Sequence, residues 1–383
     1  MDFKFSDEHT MLRETARKFV DRELRPIAQE IDKQHEVPRA LITKAGTVGL
    51  LGVPFPEAYG GSGLGETGYC VVLEEVGRVC ASTAVTIGAH VGLAGISILL
   101  GGTEEQKQRY LPRMVSGEWL GAYALTEPAA GSDAASIETR ATKDGSDYIL
   151  NGTKLWISNG DIADLIVVYA VTDAQRKARG GITAFLVERT FPGFSAHRIK
   201  DKMGLRGSST AELVLDQVRV PAANVLGQVG AGFVLAMKTL DESRLSLAAA
   251  CIGAGKELIQ LSTDFAKKRH AFGQPIAQFQ AIQWMLAEMA TEVYLMESAV
   301  YRTAWMYDQG LRITRESAIN KLYASEALCR IADKAVQIHG GMGYMGEHPV
   351  ERFYRDARIN RIFEGTNEIQ RMVIAEDLFK QTG

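Results

Sequence analysis

Between about Leu120 and Pro221 the chain changes texture, and that change limits the fold more than any other feature. Short β-branched and aromatic runs appear there, divided by turn residues: Tyr148-Ile-Leu-Asn-Gly152, Leu165-Ile-Val-Val-Tyr-Ala-Val171, Ile182-Thr-Ala-Phe-Leu-Val187 and Glu212-Leu-Val-Leu215. No long helical pattern separates them, so the expected sheet is mostly antiparallel and not doubly wound. The Asn-Gly pair at 151 and 152 is read as a turn. Upstream, Leu12, Ala16, Phe19 and Val20, then Leu41, Ala45 and Val48, recur at helical spacing, broken by the turn-rich Pro54 to Gly65. Downstream, long periodic helices are expected over 233–268, 275–308, 312–339 and 366–380. Their apolar seams suit a four-helix bundle with room for subunit contacts. The class is therefore α+β. An N-terminal helical domain (1–119) precedes a middle, mostly antiparallel β domain (120–227) and a C-terminal four-helix bundle (228–383).

The 383 residues suffice for such an arrangement, and 46% hydrophobic with 23% charged residues describe an ordinary globular chain. A net charge of −3 offers no basic field, which argues against a nucleic-acid partner. Cys70, Cys80, Cys251 and Cys329 lie far apart without metal-ligand spacing, so reduced thiols and no metal are expected. The N-terminus lacks the pattern of a secretory leader. The expected location is the cytoplasm, or the mitochondrial matrix in a eukaryote. The apolar window Val79 to Thr103 is diluted by Ser82, Thr83, Thr86, His90 and glycines, and reads as a buried helix, not a membrane span.

One carboxylate stands out. In Arg361-Ile-Phe-Glu-Gly-Thr-Asn-Glu-Ile-Gln-Arg371, Glu364 lies between an aromatic residue and a glycine just before a helix that Thr366 or Asn367 can cap. Such a joint can hold a carboxylate rigidly at a cavity. By contrast, Gly341-Met-Gly-Tyr-Met-Gly346 matches a dinucleotide-binding pattern only superficially. Leu328, Ile331, Ala332, Ala335 and Ile338 precede it at helical spacing where a strand is required, so a helix end and loop are expected instead.

The segment around Glu364 resembles the catalytic-base segment of the acyl-CoA dehydrogenases. Four further segments resemble that family in order: Tyr123-Ala-Leu-Thr-Glu-Pro-Ala-Ala-Gly-Ser-Asp133, Leu155-Trp-Ile-Ser-Asn-Gly160, Arg269-His-Ala-Phe-Gly273 to Gln280, and Gln337-Ile-His-Gly-Gly-Met-Gly343. The resemblance implies the same three-domain fold and FAD-dependent α,β-dehydrogenation of an acyl-CoA thioester, as in fatty acid β-oxidation. Glu364 would take the α-proton, flavin the β-hydride, and an electron-transfer flavoprotein the electrons. No side chain accepts a hydride, so the chemistry itself demands a cofactor. The family's enolate stabilisers are the backbone N–H of the catalytic glutamate and a flavin hydroxyl.

The same resemblance assigns FAD contacts to Tyr123, Leu125, Thr126, Gly131 and Ser132, to Trp156, Ile157 and Ser158, and to Thr366 and Glu368. Arg269 would meet the pyrophosphate, Phe272 would also contact the cofactor, and Gln280, Gln337, Gly340 and Gly341 would meet the adenosine end, in the family often from a neighbouring subunit. A homotetramer, a dimer of dimers, is implied. For the CoA ester it points to Ser132, Gly365 and the segment Asp241-Glu-Ser-Arg244, with Arg244 toward the nucleotide portion. Some relatives carry the base at the position of Ser243, and Glu242 is the sole rival to Glu364, one residue off. Gly92, Ala94, Gly95 and Ser97 fall where the family's acyl tail lies, and small residues there suggest a straight medium-to-long chain. An oxygen-using acyl-CoA oxidase and a non-catalytic subunit of the same fold are the competing readings.

Overall fold

The computed structural model describes residues 4–381. Its α-helices are α1 (Asp7–Phe19), α2 (Ala28–Gln34), α3 (Arg39–Thr47), α4 (Gly65–Gly77), α5 (Ala81–Ile87), α6 (Ile96–Gly101), α7 (Glu104–Val115), α8 (Gly232–Lys268), α9 (Gln280–Asp308), α10 (Thr314–His339), α11 (Pro349–Ala357) and α12 (Asn367–Gln381). The main sheet has strands β1 (Gly121–Ala124), β2 (Arg140–Asp144), β3 (Asp147–Ser158), β4 (Leu165–Val171), β5 (Ile182–Glu188), β6 (Phe194–Arg198), β7 (Thr210–Val220) and β8 (Val225–Leu226). A small hairpin, β9 (His270–Ala271) and β10 (Gln274–Pro275), follows α8.

Helices, sheet and helices thus succeed one another as the sequence texture implies. The sheet runs β6-β7-β3-β2-β4-β5-β8, with β1 beside β4. Its pairings are antiparallel except β1 with β4 and β2 with β4. The buried face of β4 and β5 carries the apolar runs read from the sequence, with Val167, Tyr169, Ala184 and Leu186 packed against the N-terminal helices and α8. A separate core fills the C-terminal bundle, where Leu258, Met296, Val300 and Ile331 meet.

Local expectations needed correction in two places. Asn151-Gly152 is no turn: β3 continues through it, and the register with β7 shifts there. The β2–β3 turn lies earlier, between Asp144 and Asp147, where Gly145 takes a positive φ of 61°. Gly152 instead allows close approach, since a Cβ on it would stand 2.5 Å from Thr139 Oγ1. Secondly, α11 was not expected, although Pro349 at its first position is a start signal. The apolar window forms the buried helical stretch expected, with α5 and α6 joined by a π-helical segment, Gly88–Gly95. Ala81–Gly101 is long and apolar enough to cross a membrane by length and composition, yet 67% of its apolar window is buried inside the fold.

Candidate active site

A cavity of about 250 Å³ opens where the π-helical stretch, α8, the segment after β1, the end of β3 and the turn before α12 converge. Glu364 lies on its wall. After α11 a tight 3-10 turn, Arg358–Arg361, brings the chain back toward α8, and Glu364 and Gly365 then take left-handed backbone, φ 56° and 86°. Such a conformation at a non-glycine residue persists only where its surroundings enforce it. Here they do. Arg244 Nε donates to the Glu364 carbonyl at 3.0 Å, Gln370 Nε2 to the same carbonyl at 3.2 Å and to that of Gly365 at 2.9 Å, and Lys321 Nζ to Gly365 O at 2.8 Å. Thr366 Oγ1 accepts from Ile369 N at 3.4 Å, starting α12 as its sequence suggested.

The Glu364 carboxylate itself accepts a hydrogen bond from Ser243 Oγ at 2.7 Å. Burial raises its pKa above the ordinary range, while Ser243, Arg244 and Lys321 pull it back down. Glu242 is directed elsewhere: it is buried and hydrogen-bonded to Tyr307, away from the cavity lining.

The opposite wall comes from β3 and the segment after β1. Trp156 is 59% exposed and has φ 61°, at a second register shift of β3 between Lys154 and Ile157. The bulge re-aims the indole from the sheet into the cavity, beside Ile157, Ser158 and Thr126. Tyr123, Leu125, Gly131 and Ser132 complete this side. A buried ion pair braces it. Lys154 Nζ donates to Leu125 O at 3.0 Å and Glu127 Oε1 at 2.7 Å, and Glu127 accepts from the backbone of Glu138 and Thr139, so both flanks of Thr126 are held. Burial lowers Lys154 to about 8.

Other expected residues lie elsewhere. Arg269, Gln280, Gln337, Gly340 and Gly341 are exposed, and Phe272 is 95% exposed. They share one end of the C-terminal bundle, where Phe265 of α8 stacks on His339 of α10 at 4.5 Å, but do not line the cavity of the same chain. Glu368 is also exposed. Asp241 turns away from the cavity, onto Arg244 at 3.1 Å and Thr314 at 2.7 Å. Arg244, read from the sequence as a partner of the nucleotide portion, is buried and committed to Asp241 and Glu364. Gly92 and Gly95 do not line the cavity either: a Cβ on Gly92 would meet the Tyr69 ring at 3.3 Å, and one on Gly95 the Phe55 ring at 2.6 Å. The Tyr69 and Phe55 rings thus lie directly against these two glycines. In their place Gly88, Ala89 and Leu93 reach the cavity, because the π-helical stretch turns that set inward.

Sequence reasoning missed Lys154, Glu127, Lys321 and His90. Nothing in the neighbouring sequence singles out their roles, and only their buried partners reveal them.

The cavity thus sets a carboxylate on one wall against an exposed indole and two hydroxyls on the other. The sequence matches the acyl-CoA dehydrogenase N-terminal domain at residues 6–118, the middle domain at 122–218 and the C-terminal domain at 230–379. The chain belongs to the acyl-CoA dehydrogenase family. It is 45% identical to a probable acyl-CoA dehydrogenase, YngJ, of Bacillus subtilis (strain 168), over 99% of this chain and 100% of that protein. With a short-chain specific acyl-CoA dehydrogenase of Clostridium acetobutylicum it shares 40% identity, again over 99% and 100%. Among solved structures, butyryl-CoA dehydrogenase from Megasphaera elsdenii superimposes with a TM-score of 0.96 at 40% identity, covering 99% of this chain and 100% of that one. An acyl-CoA dehydrogenase complexed with FAD from Bacillus anthracis gives 0.94 at 40%, covering 99% and 68%.

FAD is the cofactor. The residues present fit it: an exposed indole on a strained bulge, flanked by the hydroxyl-bearing Thr126 and Ser158, gives a planar ring an apolar face and hydrogen-bonding edges.

Proposed function

We propose that this chain removes two hydrogens from the α and β carbons of a short, straight acyl-CoA, giving the trans-2-enoyl-CoA, with Glu364 as the base and an electron-transfer flavoprotein as electron acceptor. The observation that carries the proposal is the Glu364 carboxylate on the wall of the cavity that Trp156 and Ser158 face from the other side. A base there must hold its proton affinity near working pH, and burial raises Glu364 in that direction. Bound FAD supplies the acceptor for the β-hydride. Thr126, Trp156 and Ser158 would hold its ring, with Arg269, Phe272, Gln280, Gln337, Gly340 and Gly341 reserved for the cofactor of a neighbouring subunit in a homotetramer. Their exposure together at one end of the bundle supports that division.

The short-chain reading rests on Phe55 and Tyr69, whose rings occupy the faces of Gly95 and Gly92. It is also supported by the relatives described as short-chain specific and as a butyryl-CoA dehydrogenase.

Anaerobic addition of butyryl-CoA to the yellow holoenzyme tests the reaction: the flavin absorbance should bleach, and electron-transfer flavoprotein should restore it faster than oxygen does. Faster recovery with oxygen would make the protein an oxidase. In Glu364→Gln the bleaching should slow by several orders of magnitude with flavin retained, because an amide cannot take the α-proton. Bleaching at the wild-type rate would remove Glu364 from the reaction.

A further inference from the structure

Lys321 lies wholly buried in α10, the helix behind the catalytic turn. A buried ammonium is costly unless acceptors surround it. Its Nζ donates to Gly365 O at 2.8 Å, the carbonyl directly after the base, and to Asn367 Oδ1 at 2.9 Å. Asn367 opens α12 and is itself tied back to α10 through Ser325 and Glu326. Arg244 therefore holds the left-handed turn from the α8 side, Lys321 holds it from the α10 side, and Gln370 joins both carbonyls.

We propose that Lys321 is a positioning residue for the base: by holding Gly365 O it fixes the Glu364–Gly365 turn and so the direction in which the carboxylate enters the cavity. This rests on the reading of Glu364 as the base.

The same ammonium acts on Glu364 through space. The titratable groups facing Glu364 are Arg244 and Cys251 of α8, Tyr69 of α4, Tyr123 of β1 and Lys321 itself, while Glu368 of α12 faces Lys321. Only Arg244 and Lys321 bring positive charge, and Arg244 is already paired with Asp241 at 3.1 Å. Lys321 makes no direct ion pair among the described residues, so its charge is directed to the turn. Burial lowers Lys321 to about 8, which leaves it charged at neutral pH. A purely structural lysine would tie two helices together. Lys321 ties them at the one turn that carries the base, and its charge lowers the proton affinity that burial raises.

The test measures kcat and KM for butyryl-CoA against pH in flavin-loaded Lys321→Met, Lys321→Gln and Lys321→Arg, with Glu364→Gln in parallel. Lys321→Met should lower kcat by about 100-fold with KM little changed, the loss expected when a reacting group is misplaced by about 1 Å. The acidic limb of its kcat/KM profile should also move to higher pH. Lys321→Gln keeps a donor for Gly365 O and should recover part of kcat while the limb stays displaced. Lys321→Arg should return the limb toward its wild-type position. An unmoved limb with near-wild-type kcat in Lys321→Met, or equal losses in all three variants with the limb unmoved, would overturn the proposal. So would failure of all three to fold with flavin, since the lysine would then serve the fold. An inactive Glu364→Gln beside an unaffected Lys321→Met sinks the positioning role alone. An active Glu364→Gln sinks the assignment of the base.

Discussion

Ser243 Oγ lies 2.7 Å from Glu364 Oε2 and donates to it, so the carboxylate proposed as the base carries a hydroxyl donor on one of its oxygens. The hydroxyl stabilises the carboxylate against the burial that raises its proton affinity. Ser243→Ala removes that opposition. The acidic limb of kcat/KM should move to higher pH, while activity well above the limb stays within about tenfold of wild type. A pH–rate profile from pH 5 to 9 decides it, and an unmoved limb would mean that the hydroxyl is satisfied elsewhere once substrate binds.

The brace behind Thr126 gives a second expectation. Lys154 and Glu127 are both buried, and removing one partner leaves the other charge uncompensated, at a cost of about 3–5 kcal/mol. Lys154→Met should lower the melting temperature and also the flavin-to-protein ratio after gel filtration, because Leu125 O and Glu127 flank the cofactor wall. A lower melting temperature with full flavin content would restrict the ion pair to stability.

His90 sets a pH dependence of folding. Gly121 N–H donates to its Nδ1 at 2.9 Å, so Nδ1 is the acceptor and Nε2 donates to Met114 O at 3.0 Å. Burial lowers its pKa to about 4. An unfolded histidine binds its proton near pH 6.5, so between these values protonation favours the unfolded chain. The stabilisation is full above about pH 6.5 and is lost as pH falls toward 4. His90→Gln lacks this titration. Denaturant unfolding should therefore show the variant closing on wild type, by roughly 2 kcal/mol, between pH 7.5 and pH 4.5. A constant gap across that range would show that His90 keeps its ordinary proton affinity.

Motif residues were legible because each works through local backbone: the strand-end segment around Trp156, the loop at Thr126 and the turn at Glu364 carry their signals in consecutive residues. The long helices were legible through periodicity, with α8 and α10 beginning and ending within two residues of expectation. Asn151-Gly152 misled because the same pair serves a hairpin turn or a bulge, and only the Thr139 side chain packed over it decides. The roles of Lys321 and His90 were hidden for a related reason. Such a polar residue looks like an exception until its hydrogen-bond partners, at the turn before α12 for Lys321 and on β1 and α7 for His90, come into place. The glycines at 92 and 95 illustrate the same limit: small residues permit either a cavity or a close neighbour, and the neighbours are Tyr69 and Phe55, distant in sequence.

Those glycines supply the last expectation. A side chain at Gly95 would meet Phe55 Cζ at 2.6 Å, inside a core where Phe55 is itself buried. Gly95→Leu should destabilise the protein by about 1–3 kcal/mol through overpacking, and leave the ratio of kcat/KM between butyryl- and octanoyl-CoA unchanged. Leu93, which lines the cavity, is the contrast. Leu93→Ala enlarges the space beside the acyl chain and should raise kcat/KM for longer chains relative to butyryl-CoA, since a pocket discriminates each methylene by about 1–3 kcal/mol. Both variants are compared as folded, flavin-loaded protein across a ladder of acyl-CoA lengths. If Gly95→Leu shortened the accepted chain while Leu93→Ala changed nothing, the acyl tail would run along the Gly92–Gly95 face after all, with Phe55 moving aside to admit it.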